Sequence, residues 1–430
     1  MFSISSILRF ANLLIVFFAI YTSVVYPHFI SLVSSIFLFI TIYSTRNPIF
    51  LWLMTIFNQY FTLRYIEVIT FKFPALFGFA NIIVWQNYFS FSVFLIMLIF
   101  ASIKLSSFPE DTHSWNVKKE GLIDQLSIIS ILFVSAPMLL DQYKIGRSIS
   151  NNFFLIGIRI SEFFQWTLPA IFRSPKYKSI ILIYVIALFV FGSKGFLISL
   201  INLYLIDGLL RDQKLRLSHF FAISFFIFIS LIFYSSFQTY RLHGEILDLF
   251  NAFNNISFDY QWFLDIIQES RKRFSGLDTM VMYGISNFHF SLLDLYYELL
   301  MAMNRFLLYF KIHIPENYIS SEFFTAYYFS GIDSSLGSGR GLLHSDSMFG
   351  LSRFVTVNPV ILIIAILLIF AYPFIVNFKS LYVNQLAKIY FYNSIIIGGS
   401  YEETIRIAFE LLLICVLINF LAKHSFFKRL

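Results

Sequence analysis

"MFSISSILRFANLLIVFFAIYTSVVYPH", residues 1–28, holds a single cation, Arg9, followed by a mostly apolar run that ends at a Tyr-Pro-His turn. No small-x-small cleavage site follows the run, so it reads as a retained first membrane-spanning helix and not as a signal peptide. The rest of the chain has the same character: 430 residues, 58% hydrophobic and 13% charged, with a mean hydropathy of +0.76. Soluble domains average about 25% charged residues. A soluble core could not hide this much apolar surface, whereas lipid removes the need to hide it, and an integral membrane protein is expected. The lone cysteine, Cys415, excludes an intrachain disulfide and a cysteine metal site.

A spanning helix needs about 20 mostly apolar residues. Runs of that kind, broken by charge and by Pro/Gly clusters, lie near 7–25, 29–44, 49–66, 81–103, 122–140, 152–172, 178–192, 195–207, 219–236, 357–377, 381–397 and 404–422. The expected fold is therefore all-α and polytopic, with about twelve spans. The runs at 178–192 and 195–207 are short, and Lys388 lies inside the run at 381–397.

Orientation follows from where Lys and Arg fall in the short loops. Alternate connections carry "STRNP" (44–48), "KLSSFPEDTHSWNVKKE" (104–120), "RSPKYK" (173–178), "RDQKLR" (211–216), "NFK" (377–379) and the tail "KHSFFKRL" (423–430). These belong in the cytoplasm with both termini, which agrees with an even number of spans. The long connection 237–355 then lies outside, on the periplasmic face in a bacterium. It holds eight Lys/Arg against twelve Asp/Glu, while the whole chain is +7. The basic pI is thus a positive-inside effect, and nucleic acid is not an expected partner. Three segments result: an N-terminal bundle (1–236), a periplasmic loop (237–355) and C-terminal spans (356–430).

The cytoplasmic loops are too short for a nucleotide-binding domain. The chain contains no GxxxxGK[ST] phosphate loop, no HExxH and no Asp-x-Asp pair, so chemistry driven by ATP or nucleotide sugars loses its usual supports. No metal and no cofactor is expected. The outer segment is the place for chemistry. A connection of its length without structure of its own would be unusual. Its middle, "NFHFSLLDLYYELLMAMNRFLLYF" (287–310), projects Asn287, Ser291, Asp294, Glu298 and Arg305 within about 60° when turned 100° per residue. An amphipathic helix lying in the interface is expected there. A thirteenth span is the alternative, at the cost of two carboxylates in hydrocarbon.

Three polar constellations stand out. In "ESRKRFSGLDTM" (269–280), Arg271, Lys272 and Arg273 precede a Gly-containing turn. Two guanidinium forks flanking a lysine suit a diphosphate, although a charged helix end has the same composition. In "GSGRGLLHSDSMFGLSRF" (337–354), Arg340 and Arg353 bracket His344, Ser345 and Asp346. His344 could take a proton from a sugar hydroxyl with Asp346 orienting it; a flexible surface loop is the bland alternative. In "GSKG" (192–195), Lys194 would lie near the outer surface, where a cation needs a partner. That partner is either a diphosphate or a carboxylate of the outer segment. Arg64 and Glu67, three apart on one helical face, read as a structural pair.

About a dozen spans, short cytoplasmic loops and one large, cation-bearing outer loop late in the chain resemble the bacterial O-antigen polymerases of the Wzy type. "RKRFSGLDTM" resembles the Arg-containing segment of their large loop, and "GSKG" is similar to a Gly-Ser-Arg-Gly turn of the related ligases, with Lys194 in place of Arg. The resemblance implies a glycosyltransferase of the bacterial inner membrane with its active site on the periplasmic face. Its substrate would be an undecaprenyl-diphosphate-linked oligosaccharide, and a flippase and a chain-length regulator would be its partners. It further implies that Arg271, Lys272, Arg273, Lys194, Arg353 and Asp346 bind diphosphate or sugar. His344, Asp278 and Arg340 would then act in catalysis, with His344 or Asp278 as the base. A lipid-linked oligosaccharide flippase and an O-antigen ligase are the rivals; a flippase would carry charge within its spans, which this sequence shows sparingly.

Overall fold

The computed structural model describes residues 2–72, 81–106, 117–140, 164–173, 178–190, 196–215, 219, 221, 223–225, 277, 278, 280, 281, 291–306, 359–378, 381–397 and 401–423. Nearly all of them are helical, and the fold is all-α. The helices are α1 (Ile4–Val25), α2 (Phe29–Ser44), α3 (Pro48–Phe57), α4 (Leu63–Phe71), α5 (Ile82–Leu105), α6 (Val117–Leu140), α7 (Lys178–Val190), α8 (Phe196–Leu210), α9 (Leu292–Phe306), α10 (Pro359–Ile375), α11 (Leu381–Ile397) and α12 (Tyr401–Lys423). Two strands of two residues each, β1 (Phe2–Ser3) and β2 (Lys214–Leu215), pair antiparallel. The long connection expected at 237–355 lies mostly outside the described residues.

Helix ends follow local chemistry. The α2 N-terminus is capped by His28, whose ring accepts from the Ser31 N–H, and α3 by Asn47, whose side chain accepts from Ile49 and Phe50. Pro48 occupies the first turn of α3, where its missing N–H costs nothing. Lys72 ends α4 in the left-handed region, at φ 51°. Between α3 and α4 the helix continues through a π-turn, Asn58–Thr62. One extra residue in that turn advances every later side chain by about 100° around the axis. The run expected at 152–172 departs from a continuous helix. Its final part, Gln165–Arg173, is a 3₁₀ segment containing Pro169, which has no N–H to give an α-helical ladder.

The chain forms two compact units. One comprises Met1–Ile7 and Ser114–Ser270. In it, α6 packs on the 3₁₀ segment and on α7, and α8 also packs on the 3₁₀ segment. Ile131, Leu168 and Ile171 form its buried centre, with Phe172, Ile180, Tyr184 and Leu203 around them. At α7 and α8, helices of 13 and 15 residues are about 20 Å long. The other unit comprises Leu8–His113 and Arg271–Leu430. There α2 packs on α5, α11 on α3 and α12, α10 on α5, and α9 along α12.

By length and composition, α1 and α5 are the described helices able to cross a bilayer. α1 and α2 bury small polar groups among apolar ones (Leu8, Val16 and Ala19 on α1, Leu38 and Ile42 on α2) and expose large apolar groups. α1 buries Asn12, Thr22 and Ser23 and exposes Phe10, Phe17, Phe18 and Tyr21. α2 buries Ser31, Ser35 and Thr41 and exposes Phe29, Ile30, Phe37 and Tyr43. The inward hydroxyls are satisfied locally: Ser35 donates to the Ser31 carbonyl at 2.8 Å and Thr41 to that of Phe37 at 2.8 Å.

Asn12 ties α1 to the α3 segment. Its Nδ2 donates to the Leu51 carbonyl (3.3 Å) and to Thr55 Oγ1 (3.1 Å), while its Oδ1 accepts from Asn58 Nδ2 (2.9 Å). Asn58 in turn accepts from Thr62 Oγ1 at 2.8 Å. Asn12→Leu removes the acceptor for a buried amide, and we expect a loss of about 1–3 kcal/mol, read as a lower unfolding midpoint of the detergent-purified protein. An unchanged midpoint would remove the network from the account of this helix pair.

Candidate functional site

The described polar centre lies just beyond the π-turn. Arg64 is 4% exposed on α4. Its Nε donates to Asp278 Oδ2 at 2.5 Å and its Nη2 to Asp278 Oδ1 at 3.0 Å, a bidentate pair between residues 214 apart in sequence. Its Nη1 donates to Glu67 Oε2 at 3.1 Å. One guanidinium thus holds two carboxylates with its planar fork, a geometry a lysine ammonium cannot reproduce. Asp278 is fully buried, with Leu277, Met280 and Val281 buried around it in sequence, while the Glu67 side chain is about a quarter exposed. The neighbouring turn of helix is held by Tyr65, whose ring stacks on Phe89 at 4.1 Å and whose hydroxyl meets Ser23 and Ser31. Thr22 and Thr70 join the same ends of α1 and α4 at 2.9 Å.

The Arg64–Glu67 pair agrees with the spacing in the sequence. Asp278 was not visible as its third member, because nothing local links a helix to a loop that far along the chain. Each oxygen of Asp278 accepts one bond from Arg64, which holds the carboxylate in the ionised, accepting form. Lys194, Arg271, Lys272, Arg273, Arg340, His344, Asp346 and Arg353 lie outside the described residues.

Other charges on the helices are paired or hydrogen-bonded. Arg406 pairs with Glu410 at 2.7 Å along α12, and Arg211 pairs with Asp207 at the end of α8. Lys388 on α11 donates to the Ser106 carbonyl (3.1 Å) and hydroxyl (3.2 Å). The i,i+4 spacing of the first two pairs was available in the sequence. Among the described residues no group of three or more His, Cys, Asp or Glu side chains could hold a metal ion.

No family model matches this chain, and neither a curated protein nor a solved structure is similar to it.

Proposed function

We propose that this chain is a polytopic protein of the bacterial inner membrane, with about twelve spans and both termini cytoplasmic. In this proposal it polymerises undecaprenyl-diphosphate-linked repeat units on the periplasmic face. A hydroxyl of one repeat unit attacks the anomeric carbon of the growing chain's first sugar, the new C–O bond forms, and undecaprenyl diphosphate leaves with the electron pair of the broken bond. His344 takes the hydroxyl proton. Arg271, Lys272, Arg273 and Arg340 stabilise the charge that develops on the diphosphate, with Lys194, Arg353 and Asp346 around the same headgroup.

Support for the membrane arises from α1 and α2, which hold small polar groups at helix contacts and large apolar groups outside, as lipid favours. Support for the topology comes from six contacts between segments that join residues the loop charges assign to one side, while the Tyr372–Ala408 contact joins residues assigned to opposite halves of their spans. On the cytoplasmic side, Arg9 meets Thr45, Phe2 pairs with Leu215, and Ser127 meets Thr167. On the outer side, Gln86 meets Tyr26, Thr22 meets Thr70, and Thr404 meets Ser394.

The observation that carries the enzymatic proposal is the Arg64–Asp278 pair. It ties the end of the third expected span to the segment bearing Arg271, Lys272 and Arg273, with Arg273 only five residues from the buried anchor. A second reading, a lipid-linked oligosaccharide flippase, draws on the ionic groups inside α8, α11 and α12. Most of these charges are compensated by carboxylates on the same helix, which leaves less free charge for a transport path.

Deleting the gene separates the readings on a gel of surface polysaccharide. A ladder that collapses to one repeat unit is the expected result. Loss of all displayed units would identify a flippase, and polymer left unattached would identify a ligase. An unchanged ladder would overturn all three.

A further inference from the structure

We propose that the end of α1, α2 and α5 where Arg9, Arg46 and Lys104 gather is a binding site for the phosphate of an anionic phospholipid. This rests on the membrane reading above but not on the enzymatic one.

One described contact joins Arg9 to the end of α2, and the direction of α5 places Lys104 at the same end. Arg9 Nη2 donates at 2.7 Å to the carbonyl of Thr45, the residue that ends α2, and Arg46 follows directly. At the other end of these helices, Gln86 Nε2 donates to the Tyr26 carbonyl at 2.7 Å. The start of α5 therefore meets the start of α2, and the two packed helices run parallel. The 16 residues of α2 rise about 24 Å and the step from Gln86 to Lys104 about 27 Å at ~1.5 Å per residue, so Lys104 and Arg46 lie at the same end of the pair. Lys388 adds a fourth, buried charge beneath them by donating to Ser106, the residue that caps α5.

No acidic residue precedes Glu67 in the chain, so α1, α2 and the turn between them carry none. Among the described residues, no salt bridge involves Arg9, Arg46, Lys104 or Lys388. Nε of Arg9 is buried without an acceptor among the described residues, where the guanidinium is held by the Thr45 carbonyl. Arg46 and Lys104 are exposed. Large apolar side chains stand beside them: Phe10 is 69% exposed, Tyr43 70% and Leu105 66%. A soluble anion would satisfy the cations and leave those side chains in water. A phospholipid satisfies both, with its phosphate on the cations and its acyl chains against Phe10, Tyr43 and Leu105.

The test is thermal unfolding of the full chain in non-ionic detergent, with phosphatidylglycerol, phosphatidylcholine or inorganic phosphate added. Phosphatidylglycerol is expected to raise the midpoint by a few degrees, about 2–4 °C. Arg46→Gln with Lys104→Gln, two exposed substitutions that leave the lipid-free midpoint unchanged, should abolish that rise. An equal rise with phosphatidylcholine, a rise with phosphate alone, or a rise that persists in the double variant would each overturn the site. Carbonate washing of membranes separates the two layers: a chain that is washed off refutes the membrane reading, whereas a chain that stays without a lipid response refutes the lipid site alone.

Discussion

Arg64→Met is expected to cost about 3–5 kcal/mol, enough to deplete the folded protein, because it strands Asp278 as an unpaired carboxylate in a fully buried position. Measured as an unfolding midpoint in detergent, the loss should exceed that of any single surface substitution. Arg64→Lys keeps the charge but cannot engage both oxygens of Asp278, so an intermediate loss is expected. Asp278→Asn removes the carboxylate and retains an acceptor, and it should cost less than Arg64→Met. The exchange Arg64→Asp with Asp278→Arg should recover part of the stability. Recovery is incomplete because the carboxylate introduced at position 64 would face Glu67 one helical turn away. A double-mutant cycle showing no coupling between positions 64 and 278 would remove this pair as the link between the helix and the segment that follows Gly276.

On the polymerase reading proposed above, Arg271→Gln and Arg340→Gln are each expected to lower polymerisation by about 10²–10³-fold, the cost of removing one preorganised donor from a developing negative charge. On a gel, long chains should disappear while the single repeat unit persists and the protein still inserts in the membrane. Normal chain lengths in both variants would refute the assignment of these guanidinium groups to the diphosphate. His344→Ala tests the base separately. It should remove turnover without weakening the retention of the lipid-linked substrate, since a proton acceptor acts on the transition state more than on binding.

How far the sequence could be read depended on the range of each interaction. The run at 29–44 is a helix over Phe29–Ser44, and the run at 381–397 is a helix over Leu381–Ile397 despite Lys388 inside it. The short runs flanking "GSKG" carry the helices Lys178–Val190 and Phe196–Leu210, and Asp294, Glu298 and Arg305 of the polar stripe fall within α9. These boundaries are set by capping residues, prolines and charges within a few positions of the helix ends, so a local pattern suffices. The 3₁₀ segment shows the limit of that pattern, since apolar content alone did not register what Pro169 does to the ladder.

The amino-acid sequence by itself determined the all-α class and the extents of most helices, because each depends on neighbouring residues or on composition. Only the tertiary structure decided that Arg64 reaches Asp278, that a π-turn precedes it, and that Asn12, Asn58 and the serines of α2 face inward. Those facts depend on the rotation and register of helices against partners tens to hundreds of residues away. A single inserted residue changes that phase without leaving a signature in hydropathy, so the pairing is fixed only when the segments pack.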